Sequence, residues 1–194
     1  SVRDYIQWTL DTIKAKNNQI SYLGSESESW QVTLIDTGLK SMTGSRIKKA
    51  EKYVKNERFF LTYGDGVANL NMKKQLEFHS SHKGLITMTS VQPDGRFGAF
   101  DQDSSGRVRK FIEKPAGDGS WINGGYFICN PEVFDYIPEG PEIVFEKDPL
   151  GKLAKEGKLF SFKHTGFWKC MDTLKDKKEL DNLARQKNIP WFVN

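Results

Sequence analysis

Along this chain the apolar positions change period repeatedly, from helical spacing to short unbroken runs and back. Val2, Ile6, Leu10 and Ile13 recur at helical spacing and predict a helix over 2–14. A polar stretch over 17–29 carries one short strand at 20–23, and the run Trp30-Gln31-Val32-Thr33-Leu34-Ile35 predicts a strand by its β-branched content. A loop of glycines and hydroxyls, 36–45, then leads into a helix over 46–54. The pattern continues as strand 59–63, helix 72–81 and strand 85–91. Strands alternating with helices of this length imply crossover connections, hence an α/β fold with a Rossmann-like, mixed but mainly parallel sheet covered by helices on both faces.

After residue 91 the rhythm changes. Segments 98–100 and 106–115 predict two short strands across the turn Asp103-Ser104-Ser105-Gly106. Strand 122–129 follows, then a helix from 131, a helix at 148–156, a strand at 159–163 and a helix from 173. No repeat or low-complexity linker divides the chain, and 194 residues suit a single domain, 1–194.

Composition narrows the function classes. With 28% charged and 37% apolar residues, the chain is of the folding, water-soluble kind. A net charge of +4 is mild and its lysines are spread along helices, which argues against nucleic acid and suits small anions. No apolar run nears the roughly 20 residues of a membrane helix, and no leader pattern opens the chain, so no membrane partner and a cytoplasmic location are expected. Cys129 and Cys170 are too few for a disulfide framework or a zinc knuckle and read as buried, reduced thiols. His79 and His82 read as exposed on a helix, and with His164 they show no metal spacing.

The candidate chemistry lies at strand ends. Asp65 closes the buried run 59–63 between Gly64 and Gly66, at the carboxyl edge where open α/β sheets bind ligands. Asp-Gly is also a common turn pair. Asp172 precedes Thr173-Leu174 and, taken alone, reads as a helix N-cap. Glu113-Lys114-Pro115 ends a strand with an acceptor for sugar hydroxyls and a cation for phosphate, or simply an ion-rich strand end. Asn123-Gly124-Gly125 interrupts an apolar strand, which marks either a bulge or close approach of a ligand. Thr37, Gly38 and Arg46 belong to a loop suited to anions at a helix start, or to ordinary capping. Gly95-Arg96-Phe97-Gly98 is a turn or a lip over a ligand. Magnesium takes one or two carboxylates plus phosphates and water, so two aspartates from separate elements suffice. No Gly-x-Ser-x-Gly elbow or cysteine–histidine pair offers a nucleophile, which favours direct displacement at phosphorus by a substrate group.

In this order, Asp36-Thr37-Gly38, Met42-Thr43-Gly44-Ser45-Arg46, Tyr63-Gly64-Asp65-Gly66, Gly95-Arg96-Phe97-Gly98, Glu113-Lys114-Pro115, Ile122-Asn123-Gly124-Gly125 and Met171-Asp172-Thr173 resemble the sugar-phosphate nucleotidyltransferases. Among them the likeness is to the cytidylyltransferases that act on glucose 1-phosphate. It implies formation of CDP-glucose and pyrophosphate from CTP and α-D-glucose 1-phosphate, a nucleotide-diphospho-sugar transferase fold and a homo-oligomer. It also implies a supply of CDP-glucose for dideoxysugars of surface polysaccharides such as lipopolysaccharide. By the same resemblance Asp65 and Asp172 hold Mg2+. Thr37, Gly38, Arg46 and Gly64, with Asp65, serve the nucleotide. Lys114 binds the sugar phosphate as a catalytic cation, and Glu113, Asn123, Gly124 and Gly125 line the glucose site. The family's opening strand and its Gly-Gly-x-Gly-Thr-Arg loop have no counterpart in this sequence, so the domain is expected to lack its first strands. Either the chain belongs to a longer protein, or it is a short relative that binds nucleotide or sugar phosphate without turnover. A glycosyltransferase with a related sheet would need a fuller acidic motif than Asp65 between glycines.

Overall fold

A computed structural model describes residues 13–16, 19–22, 33–54, 57–93, 99–112 and 120–192. Strands β1 (Ile13–Lys16) and β2 (Gln19–Tyr22) pair antiparallel, so the strand expected at 20–23 is present. The helix expected over 2–14 is contradicted at its described end, because Ile13 and Lys14 are in β1; residues 1–12 lie outside the described residues. Helical spacing is a weak prior that cross-strand pairing overrides. Thr33, Leu34 and Ile35 are likewise not strand, and Leu34 is 60% exposed. A β-branched run becomes a strand only where a partner and a buried face receive it.

Helix α1 (Thr43–Ala50) starts ahead of the expected Arg46 and ends in a 3-10 turn, Glu51–Tyr53. Its first turn is satisfied by another loop: Met42 N donates to Pro141 O at 2.8 Å and Ser45 N to Ile143 O at 3.2 Å. That approach needs Gly44, where a Cβ would stand 2.7 Å from Ile143 Cγ2.

Next come β3 (Phe59–Thr62), β4 (Gly66–Ala68), α2 (Met72–Ser80) and β5 (Ile86–Val91). The hairpin of β6 (Ala99–Gln102) and β7 (Val108–Ile112) turns at Asp103 to Gly106 as expected. Strand β8 (Ile122–Cys129) is followed by a 3-10 helix, Pro131–Tyr136, and α3 (Asp148–Lys155). Strands β9 (Leu159–Lys163) and β10 (Trp168–Cys170) and helix α4 (Leu174–Ala184) complete the described chain. No described helix is long and apolar enough to cross a membrane.

The main sheet has the order β3-β8-β5-β9 and is mixed. β3, β5 and β9 run one way, but β8 is inserted antiparallel between β3 and β5, so among the described strands only the β5–β9 pairing is parallel. Strand and helix order alone does not reveal that insertion. It follows from the excursion through the β6–β7 hairpin, which returns the chain in the opposite direction.

Helices cover both faces. On one, Ile86, Phe127 and Cys129 meet Val133, Phe134, Ile137 and Phe145, and α3 contributes Leu150 and Leu153 one turn apart. Burying each such side chain contributes roughly 1.5–3 kcal/mol. On the other face α2 meets the sheet through polar groups. Gln75 Nε2 donates to Thr89 Oγ1 at 2.6 Å, and His79 lies between Thr87 Oγ1, 2.8 Å from Nδ1, and Asn130 Oδ1, 3.1 Å from Nε2. His82 Nε2 is 2.8 Å from the same Thr87 hydroxyl and stacks on Phe160.

His79 is therefore not exposed as expected but 2% accessible, and His82 is half-buried. The polar side chains that would put this face in water bond to β5 instead. Their hydrogens run in one direction. Gly84 N donates to His82 Nδ1, His82 Nε2 to Thr87, Thr87 to His79 Nδ1, and His79 Nε2 to the acceptor oxygen of Asn130. Both rings are neutral in this arrangement, and a proton on His79 Nδ1 would oppose the Thr87 hydroxyl hydrogen. Burial holds both histidines below the ordinary histidine range, helped at His82 by His79. The unfolded chain thus binds protons first on acidification, so stability is full above about pH 6.5 and falls as pH drops through the folded values. Urea midpoints are expected to decline below that pH, and less steeply in His79→Gln; equal slopes would refute the neutral relay.

Candidate active site

The carboxyl end of β3, the glycine-interrupted start of β8 and the end of β10 enclose a recess of about 230 Å3. Its walls include Tyr63, Asp65, Gly66, Asn123, Gly124, Gly125, Tyr126, Trp168, Cys170 and Asp172. Two roomier hollows, of about 440 and 550 Å3, are lined by Tyr136 with Lys147, Lys152 and Lys155, and by Arg58 with Phe60, and contain none of the candidate residues.

A pairing between strands distant in sequence brings the two aspartates together. β4 runs antiparallel to β10 with Gly66 opposite Cys170, and the ladder extends one step as Met171 N donates to Asp65 O at 2.8 Å. Asp65 and Asp172 thus flank the same end of this ribbon, both exposed to solvent. The cap of α4 is not Asp172 but Thr173, whose side chain accepts from Asp176 N while Asp176 Oδ2 accepts from Thr173 N, a reciprocal capping box. The Asp172 carboxylate is left to accept the Cys170 thiol at 3.3 Å. Burial, with Asp172 beside it, pushes that thiol up to about 11, so it stays protonated at neutral pH. Cys170 is free and half-buried, while Cys129 is free and fully buried.

Asn123-Gly124-Gly125 is both a bulge and a wall. Met88 pairs with Phe127 but Ser90 with Asn123, so β8 spends extra residues there. Gly125 has φ +79°, its N donates to Asn123 Oδ1 at 2.9 Å and its O accepts from Tyr63 N at 3.0 Å. Gly124 O accepts the Trp168 indole N–H at 2.8 Å, and Tyr126 OH donates to Gly66 O at 2.7 Å. Burial, then the charge of Asp65, raises the Tyr126 phenol. Among the described residues nothing lies within 4 Å of where a Gly64 Cβ would stand, so their packing does not itself demand that glycine.

Thr37, Gly38 and Arg46 come together with one another but do not line the recess. Arg46 Nη1 donates to Thr37 Oγ1 at 2.5 Å, Lys49 Nζ to Thr37 O at 2.7 Å, and Gly38, at φ +81°, donates its N–H to Asp36 Oδ1 at 2.8 Å. Glu113, Lys114 and Pro115, and Gly95-Arg96-Phe97-Gly98, lie outside the described residues. Sequence reasoning assigned no role to Tyr63, Tyr126, Trp168 or Cys170, although each touches the recess. An aromatic residue beside a glycine at a strand end was the available signal for the first two. Among the described residues no group of three or more histidines, cysteines or acids forms a metal cluster; the acids that line the recess are Asp65 and Asp172, the latter beside the protonated Cys170 thiol.

A sequence profile described as nucleotidyl transferase matches residues 12–179. Glucose-1-phosphate cytidylyltransferase of Salmonella typhi is 46% identical over 181 residues, 93% of this chain and 70% of the relative. The protein of the same description from Salmonella typhimurium matches with the same identity and coverage. A solved UDP-glucose pyrophosphorylase in complex with UDP-glucose superposes with a TM-score of 0.57 at 15% identity, covering 79% of this chain and 66% of that one, which bears on fold alone. With the mixed sheet, two aspartates lining one recess and the Asn-Gly-Gly wall, these likenesses identify the chain as a member of the nucleotidyl transferase family of enzymes, similar within it to the glucose-1-phosphate cytidylyltransferases.

Proposed function

We propose that the protein forms CDP-glucose and pyrophosphate from CTP and α-D-glucose 1-phosphate. The observation that carries the reading is the meeting of Asp65 and Asp172 at one recess whose other wall is Asn123-Gly124-Gly125. An oxygen of the sugar phosphate forms a bond to the α-phosphorus of CTP. The bond from that phosphorus to the bridging oxygen breaks, and pyrophosphate departs with the electron pair.

The donor set fits magnesium: two hard carboxylates and no deprotonated thiol leave room for phosphates and water. Asp65 and Asp172 would hold the ion, which when bound supplies charge neutralisation on the phosphates. The open space over Gly64 lets phosphate approach the backbone there, whereas the glycines at 124 and 125 let β8 pack against Val91 and Tyr63 and so shape the wall the sugar meets. Arg46 with Thr37 and Gly38 serves the nucleotide, while Glu113 and Lys114 serve the sugar phosphate. Positioning of two bound anions supplies much of the acceleration in such a displacement. The same reading makes the protein a cytoplasmic homo-oligomer feeding nucleotide sugar to surface polysaccharide synthesis.

Pyrophosphate release is expected only when CTP, glucose 1-phosphate and Mg2+ are all present. Release from CTP without the sugar phosphate, or binding of both substrates without turnover, would contradict it.

A further inference from the structure

We propose that Glu146, which stands behind the recess wall and not in it, is a positioning residue for the sugar-phosphate side of the reaction, acting through Tyr63 and Asn123. This rests on the function proposed above. Glu146 lies in the turn before α3, next to the fully buried Phe145, and its two carboxylate oxygens take two donors from distant parts of the chain. Oε2 accepts Thr43 Oγ1 at 2.7 Å, and Oε1 accepts the Tyr63 hydroxyl.

Neither donor has freedom to turn round. Thr43 Oγ1 already accepts Phe145 N at 2.9 Å, so its hydrogen points to the carboxylate. Tyr63 gives its hydrogen to Glu146 and therefore meets Asn123 Nδ2, at 3.3 Å, as an acceptor. That fixes the Asn123 amide: Oδ1 faces Gly125 N at 2.9 Å and Nδ2 faces Tyr63, with its second N–H uncommitted among the described residues. A carboxylate at 146 thus dictates every hydrogen from Thr43 to Gly125. The amide of Asn123, on the recess wall, offers an incoming sugar oxygen a donor and not an acceptor.

Glu146→Gln keeps the shape but supplies one acceptor for two donors, so the directionality is lost. It is expected to raise KM for glucose 1-phosphate about tenfold, the scale of one charge-assisted hydrogen bond, with KM for CTP changed less than about twofold. Tyr63→Phe is expected to do the same, and the double variant to be no worse than either, because both cut one chain of bonds. An unchanged KM in Glu146→Gln, equal rises in both KM values, or losses that multiply in the double variant would overturn the proposal. Calorimetric titration with glucose 1-phosphate reads the same residues without turnover: about tenfold weaker binding in Glu146→Gln is expected. Equal affinity in variant and wild type, or no binding by wild type, also overturns the proposal. Wild type that binds glucose 1-phosphate but releases no pyrophosphate overturns the proposed reaction and leaves this result standing.

Discussion

On the proposed reaction, Asp65→Asn is expected to slow pyrophosphate release from CTP and glucose 1-phosphate about a thousandfold, because it would remove one ionic ligand of the proposed cation and with it several kcal/mol of charge stabilisation. The fold should not notice. Asp65 is exposed, and its structural bond, from Met171 N at 2.8 Å, goes to the backbone carbonyl and survives the substitution. The thermal midpoint is expected to stay at the wild-type value within the effect of an ordinary surface substitution, about 0.5 kcal/mol. Raising Mg2+ should recover part of the rate, since an amide oxygen still ligates weakly. Wild-type turnover in this variant would remove the aspartate from the chemistry, whereas lost turnover with a collapsed midpoint would make it a folding residue.

Gly125→Ala is expected to damage stability and activity together. At φ +79° a side chain is strained, and its Cβ would stand 2.9 Å from Tyr63 Cδ2. The two effects cost roughly 1–3 kcal/mol, read as a lower urea midpoint. Relief requires either the Tyr63 ring to move, which breaks the Asn123 Nδ2 bond to Tyr63 OH, or the bulge to move, which breaks the Gly125 N bond to Asn123 Oδ1. Gly64→Ala is the informative contrast. No atom of the described residues lies within 4 Å of the added methyl group, so it should fold like wild type and lose turnover only if substrate uses that space. Gly64→Ala with full activity would show that the glycine before Asp65 serves no ligand.

How far the sequence foretold this site varies residue by residue, with a physical cause in each case. Asp65 and Asn123-Gly124-Gly125 could be read directly, since a carboxylate or glycine pair beside an apolar run departs from ordinary strand composition. Asp172 was legible as a residue but not as a role. An aspartate and a threonine before a helix compete for the cap, and the Thr173–Asp176 capping box decides for threonine. Glu146 had no local signal at all, because its meaning depends on Tyr63, 83 positions away. The antiparallel insertion of β8 was hidden for the same reason: alternation of strands and helices records order, not direction. On α2 residue type misled, since His79 is a polar side chain satisfied inside, by Thr87, next to Gln75 on Thr89. The hairpin at Asp103 to Gly106 and strands β3, β5 and β9 followed their local chemistry and formed where expected.

Binding of Mn2+ in the presence of CTP, followed by its electron paramagnetic resonance signal, tests most directly whether Asp65 and Asp172 serve one cation. A single site is expected in the wild type, weakened to a similar degree by Asp65→Asn and by Asp172→Asn. Wild-type Mn2+ affinity in either variant would contradict the shared site and the chemistry built on it.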